Sequence, residues 1–158
     1  MMPEDRAPKI GDAAPDFTLD TDNRGSVSLS DFSGRYLVLY FYPRDDTSGC
    51  TRQAVAFSEA ADAFAARNAE IVGVSRDSLA AHEKFRKKHA LTITLGSDSD
   101  GSVSESYGVW VEKKLYGKTH MGIERSTFMI APDGRIIGVW RKVRVPGHAE
   151  AVLEAVET

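Results

Sequence analysis

The 158 residues suit one domain around one sizeable core, and 42% apolar with 27% charged residues is the make-up of an ordinary globular chain. A net charge of −3, with both signs spread along the chain, gives no electrostatic footprint for nucleic acid. No apolar run approaches the length of a bilayer span and residues 1–10 hold no apolar targeting segment, so no membrane or nucleic-acid partner and a cytoplasmic location are expected.

In chain order, residues 1–10 are polar with two prolines and read as a loose arm. Residues 17–19 and 27–29 are strand-like pieces around the turn Asn23-Arg24-Gly25, a hairpin, and residues 30–34 form a turn cluster. Residues 36–42, apolar on both faces, predict a central strand covered by helices on each side, ended by Pro43. A polar loop follows to Gly49. Residues 50–67 are alanine-rich, with Val55, Phe57, Ala61 and Phe64 on one stripe, which predicts a helix. Residues 71–75 read as a second buried strand. Residues 78–89 read as a helix with Ser78 as N-cap and Leu79, His82 and Phe85 inward, and residues 91–95 as a short strand. A short helix over 102–107 ends at Gly108. Strands over 126–131 and 135–145 flank the turn Pro132-Asp133-Gly134, and a helix over 147–156 turns Ala151, Val152 and Val156 inward. This order predicts an α/β fold, a mixed sheet with helices on both faces, in a single domain over 1–158. It is compatible with a thioredoxin-like fold carrying an N-terminal β-hairpin extension. Sites in such sheets gather at the carboxyl ends of the parallel strands, where the loop 43–49 lies.

There is one cysteine, so neither an internal disulfide nor a multi-cysteine metal site is available. A lone Cys is either an inert core residue or a nucleophile. Cys50 stands where a loop enters a helix, where the helix dipole and unpaired backbone N–H groups favour thiolate, the nucleophilic form. Thr47, three residues earlier, brings a hydroxyl able both to donate and to accept, which suits a substrate carrying –O–OH. Pro43 offers a rigid wall without an N–H, and Gly49 permits close backbone approach. Attack on a peroxide moves negative charge onto the departing oxygen, and a cation aimed there lowers the barrier. Arg125, just before a buried strand, is the best-placed candidate.

Pro43-x-x-x-Thr47-x-x-Cys50 matches the active-site motif of the peroxiredoxins, and Tyr40-Phe41-Tyr42-Pro43-Arg44-Asp45-Asp46-Thr47-Ser48-Gly49-Cys50-Thr51 resembles the bacterioferritin-comigratory-protein, or peroxiredoxin Q, branch. The likeness extends to Gly11-Asp12-Ala13-Ala14-Pro15-Asp16-Phe17, Tyr107-Gly108-Val109-Trp110 and Gly122-Ile123-Glu124-Arg125-Ser126-Thr127-Phe128. The resemblance implies a thioredoxin-like fold and reduction of hydrogen peroxide and organic hydroperoxides without cofactor or metal. It makes Cys50 the peroxidatic cysteine, oxidised to sulfenic acid; Thr47 and Arg125 orient and polarise the peroxide, Pro43 shields the site, and Gly49 and Tyr42 join the substrate-binding residues. The chain departs from the branch at Val55, where many members carry a resolving Cys, at Gln53, where Glu is frequent, and at Ser48, where Pro is frequent. With no second Cys, the sulfenic acid requires an external thiol: thioredoxin, glutaredoxin with glutathione, or another small thiol. A monomer is expected, with a dimer as the alternative.

Plainer readings stand beside these. Cys50 is otherwise a structural core thiol, Thr47 a helix cap, and Arg125 half of a surface ion pair. Asp45 and Asp46 read as a solvated loop, the four histidines as structural or surface residues, and Lys84, Arg86, Lys87 and Lys88 as a solvated basic face. Two other functions compete. Thiol–disulfide exchange of the thioredoxin type is disfavoured by the missing Cys-x-x-Cys, and redox sensing would use sulfenylated Cys50 as a signal.

Overall fold

The computed structural model describes residues 7–156. Its frame is a seven-stranded mixed sheet in the order β2-β1-β5-β4-β3-β8-β9, built from β1 (Thr18–Thr21), β2 (Gly25–Ser28), β3 (Tyr36–Phe41), β4 (Ala69–Ser75), β5 (Thr94–Ser97), β8 (Ser126–Ile130) and β9 (Ile136–Trp140). β3, β4 and β5 run parallel, joined through helices α1 (Ser48–Ala66) and α2 (Leu79–His89); the other pairings are antiparallel. A short α3 (Ser102–Ser106) and a C-terminal α4 (His148–Ala155) complete the α-helices of the described residues, and Leu29–Phe32 forms a 3-10 turn.

The doubly apolar run at β3 works as its pattern predicts. Leu37, Leu39 and Phe41 face one core with Val72, Val74, Val103, Tyr107 and Phe128, while Val38, Tyr40 and Tyr42 face a second with Phe57, Phe64, Phe85 and Val152. α1, α2 and α4 cover the second core and α3 the first. Burial of so many aromatic and branched side chains, at roughly 1.5–3 kcal/mol each, is the main force placing α1 against the sheet. Gly73 of β4 is required by this packing: a Cβ there would lie 2.7 Å from the Tyr40 ring.

Several expectations need correcting. A two-stranded hairpin, β6 (Trp110–Leu115) with β7 (Lys118–Ile123), was not anticipated. It turns at Tyr116 and Gly117, both with positive φ, and most of β7 is exposed, so no buried face imposed a two-residue apolar alternation. The last strand ends at Trp140 rather than 145, because the charged run from Arg141 and then Pro146 leave the sheet. Leu79 and Ala151 point to solvent, leaving His82 and Phe85, and Val152 and Val156, as the inward residues. β5 lies three residues beyond the predicted start of its strand, since Ala90 closes α2 in a left-handed cap and residues 91–93 pack as an irregular link. Ser78 is the N-cap of α2, its hydroxyl accepting from the Ala81 N–H at 3.1 Å. Of the arm expected over 1–10, residues 1–6 lie outside the described residues; Ala7 is buried, and from Gly11 the chain is laced to the start of β9.

Candidate active site

β3 ends beneath the loop 43–47, and that loop delivers the chain into α1 with Thr47 at the N-cap, so Cys50 occupies the helix's first turn. Thr47 does not cap the helix with its side chain. Its hydroxyl instead donates to the Arg44 carbonyl at 2.9 Å, which assigns its proton and leaves its lone pairs free. The first intrahelical bond runs from Thr51 N to Thr47 O at 2.8 Å, so the N–H groups of Ser48, Gly49 and Cys50 precede the helical ladder. The sulfur therefore stands at the positive end of a nineteen-residue helix whose leading donors no capping side chain consumes.

Cys50 is 1% exposed, and Arg125 reaches it from the start of β8, the antiparallel neighbour of β3. Nη2 of Arg125 donates to Cys50 Sγ at 3.4 Å, while Nη1 donates to Gln53 Oε1 at 2.6 Å. The adjacent Glu124 does not neutralise this guanidinium, because Arg141 holds it at 2.8 Å. Arg125 is thus not half of a surface ion pair. Its second partner is a neutral amide one turn along α1, and its full charge bears on the sulfur. Gly49 makes the approach possible: a Cβ at that position would lie 3.1 Å from Arg125 Nη2. Pro43, exposed at the end of β3, lines a cleft with Trp110, Lys113 and Ile123.

Residues expected in a solvated loop or on the surface form the support of the loop. Asp45 is not solvated: its side chain is 6% exposed and accepts at 2.6 Å from the Tyr42 hydroxyl on one oxygen and at 2.6 Å from His82 Nδ1 on the other. The other ring nitrogen of His82, which is 0% exposed, donates to the Gly96 carbonyl at 2.9 Å. The Gly96 carbonyl can only accept, so that nitrogen carries a proton, and an ionised Asp45 facing the other nitrogen favours the imidazolium form. Burial alone pulls its pKa down; the hydrogen bond and charge of Asp45, with the Gly96 carbonyl, outweigh it and raise the pKa above its ordinary value. Asp77 extends the support, accepting from the Asp45 N–H at 2.8 Å and the Ser75 hydroxyl at 2.6 Å. Tyr42 is committed to this network, its phenol pushed well up by burial and then by Asp45. Only Asp46 fits the solvated reading, paired at the surface with Lys88 and His89.

Behind the site lies His148, the first residue of α4. Its Nε2 shares a hydrogen bond with the Thr127 hydroxyl at 2.8 Å, and burial followed by the charge of Arg125 lowers its pKa to about 4, which favours the neutral ring. Two buried polar atoms near the sulfur have no partner among the described residues: the Tyr40 hydroxyl and Gln53 Nε2. A signal for Gln53 existed in its spacing, one turn beyond Cys50. The pairing of Asp45 with His82 spans 37 residues and left no local trace.

The AhpC/TSA family model matches residues 10–139. Peroxiredoxin Bcp of Bacillus subtilis is 48% identical over 150 residues, covering 95% of this chain and 94% of that protein. Among solved structures, a Xylella fastidiosa PrxQ Cys-to-Ser mutant superposes with a TM-score of 0.88 at 41% identity, covering 93% of this chain and 94% of that one. The Xanthomonas campestris bacterioferritin comigratory protein, solved as trapped intermediate and ligand complexes bearing on its alkyl peroxide reduction, superposes with a TM-score of 0.86 at 40% identity, covering 94% and 95%.

Proposed function

Because this chain belongs to the AhpC/TSA family, in its Bcp or peroxiredoxin Q branch, and is a thiol peroxidase, we propose that Cys50 is its peroxidatic sulfur and that Arg125, Thr47, Pro43 and Gly49 complete the reaction centre. The observation that carries this reading is the 3.4 Å contact between the unneutralised Arg125 guanidinium and Cys50 Sγ in the first turn of α1.

The Cys50 thiolate attacks the terminal oxygen of R–O–O–H. The S–O bond forms as the O–O bond breaks, and the electron pair leaves with RO⁻, which takes a proton to give ROH; Cys50 becomes sulfenic acid. Thr47, its proton given to Arg44, accepts from the peroxide O–H and so presents that oxygen to the sulfur. Arg125 and the free N–H groups of the first turn face the charge as it passes from sulfur to the leaving oxygen, the condition for lowering the barrier more than the ground state. Gly49 keeps the guanidinium close, and Pro43 limits water at the mouth. Tyr42 acts through Asp45, holding the loop rather than the substrate. With one cysteine in the chain, an external thiol closes the cycle.

The reading takes residues 1–158 as a single domain, supported by the family match over residues 10–139 and the coverage of 95% of this chain by its Bacillus relative. A cytoplasmic location and a monomeric state complete the reading; among the described residues no helix is long and apolar enough to cross a membrane. Stopped-flow mixing with hydrogen peroxide is the test. Cys50 should be consumed in a second-order phase and should turn over with dithiothreitol. Oxidation without turnover would favour the sensing role instead.

A further inference from the structure

We propose that the cleft beside the reaction centre receives the reductant, and that this reductant is a small thiol bearing a carboxylate. The inference rests on the peroxidatic role of Cys50 and adds to it the chemistry of the second half-reaction.

The cleft is about 550 Å³, within the range of small-molecule sites. Two of its walls are chain segments that lead directly into the reaction centre. Pro43 and Arg44 line it, and the Arg44 carbonyl holds the Thr47 hydroxyl; Ile123 lines it two residues before Arg125. Its charge has one sign. Arg44, Arg76 and Lys113 are in its wall, and no carboxylate is. Arg76 is occupied, lying 4.4 Å over the Trp110 ring and donating to the Ser99 carbonyl. Arg44 and Lys113 have no ion-pair partner among the described residues. Lys113 is half-buried; burial and then the charge of Arg125 depress its pKa, while Cys50 and Glu124 act the other way. Two cations without an ion-pair partner in a concave wall, beside the apolar faces of Trp110 and Ile123, suit a small organic anion. A neutral or cationic thiol gains nothing there.

The chemistry balances with two equivalents of that thiol. The first attacks the sulfenic sulfur as R–S⁻, forming Cys50–S–S–R and expelling hydroxide, which becomes water. The second attacks the mixed disulfide, releasing R–S–S–R and returning the Cys50 thiolate. Two electrons pass from two thiols to the oxidised sulfur. A cation near the incoming R–S⁻ favours the first step, and a carboxylate on the thiol lets the cleft hold it.

The test uses the full chain, pre-oxidised with one equivalent of hydrogen peroxide. Its reduction is followed with 3-mercaptopropionate, 2-mercaptoethanol and cysteamine, each rate expressed per thiolate. The anionic thiol should react at least about ten-fold faster than the cationic one at low ionic strength, with the difference shrinking in high salt. Because Arg125 would by itself also draw anions, the deciding variants lie in the cleft: Lys113→Gln and Arg44→Gln should bring the ratio toward one, and Lys113→Glu should invert it. Rates independent of thiol charge, or a ratio untouched by all three variants, overturn the proposal. So does a result in which Lys113→Gln slows oxidation by a carboxylated alkyl hydroperoxide while leaving thiol preference intact, since the cleft then serves the oxidant. Failure of hydrogen peroxide to oxidise Cys50 in the first place would instead remove the peroxidatic reading on which this one stands.

Discussion

The loop between β3 and α1 is built in opposite ways at its two ends. Near its start, Asp45 has both oxygens bonded, to Tyr42 and His82, and its own N–H bonded to Asp77. At its far end, the N–H groups of Ser48, Gly49 and Cys50 meet no capping side chain and Thr47 keeps its lone pairs free. The contrast shows how an open reaction centre is held still. Donors that await a substrate do not fix the chain that carries them, so rigidity comes from polar groups a few residues away that are fully satisfied and out of water. The donors left open at one end are carried by polar groups bonded at the other.

That contrast can be broken at either end. The largest effect is expected from Cys50→Ser, which should abolish peroxide reduction while the far-UV circular dichroism and urea midpoint stay near those of the parent; retained turnover would remove the sulfur from the reaction. Arg125→Ala should slow oxidation of Cys50 by about 10²–10³, the usual cost of losing one donor to developing charge. Its folding should change far less, and a normal stopped-flow rate would exclude the guanidinium from the mechanism. At the held end the effect should fall on stability. Asp45→Ala leaves a buried imidazolium unpaired, for a loss of about 3–5 kcal/mol in urea unfolding, whereas a loss under about 1 kcal/mol would mean that His82 is neutral.

The smallest expected effects are in the pH profile, where the two buried histidines act at opposite ends. His148 has a folded pKa of about 4 against an ordinary 6.5, so the folded state keeps it neutral and the unfolded chain binds the proton more readily. Its contribution is complete above about 6.5 and fades as pH falls toward 4, on the order of 3 kcal/mol. His82 has its folded pKa raised, so its contribution is complete below 6.5 and fades as pH rises through the folded value. Urea midpoints measured across this range should fall on both sides. His148→Gln should flatten only the acid limb and His82→Gln only the alkaline one; an acid limb unchanged in His148→Gln would show that carboxylates elsewhere set it.

What the sequence disclosed, and what it hid, follow the same division. Cys50, Thr47 and Pro43 were legible because they sit within eight residues, and Arg125 because a strand start gave it a place. β3 was legible because its apolar residues face two cores. Asp45 and His82 were not, since an aspartate in a polar loop has the same local appearance whether it meets water or a buried imidazolium. Their partnership exists only once α2 lies against the loop. Gln53 stood out as an unusual residue, but its meaning required knowing that Arg125 arrives beside it from another strand. The β6–β7 hairpin left little signal because its strands bond to each other and β7 is mostly exposed.

Gly73 carries one more implication. The space its missing side chain leaves in β4 is filled by the Tyr40 ring, which in turn stacks at 4.7 Å on Phe57, two turns along α1 from Cys50. Positions 40 and 73 therefore share a single volume and are free to vary only as a pair. A methyl added at 73 would press on two stacked rings, the second of them on the helix that bears the sulfur, so the bare backbone of one strand is tied by packing to the element that carries the nucleophile.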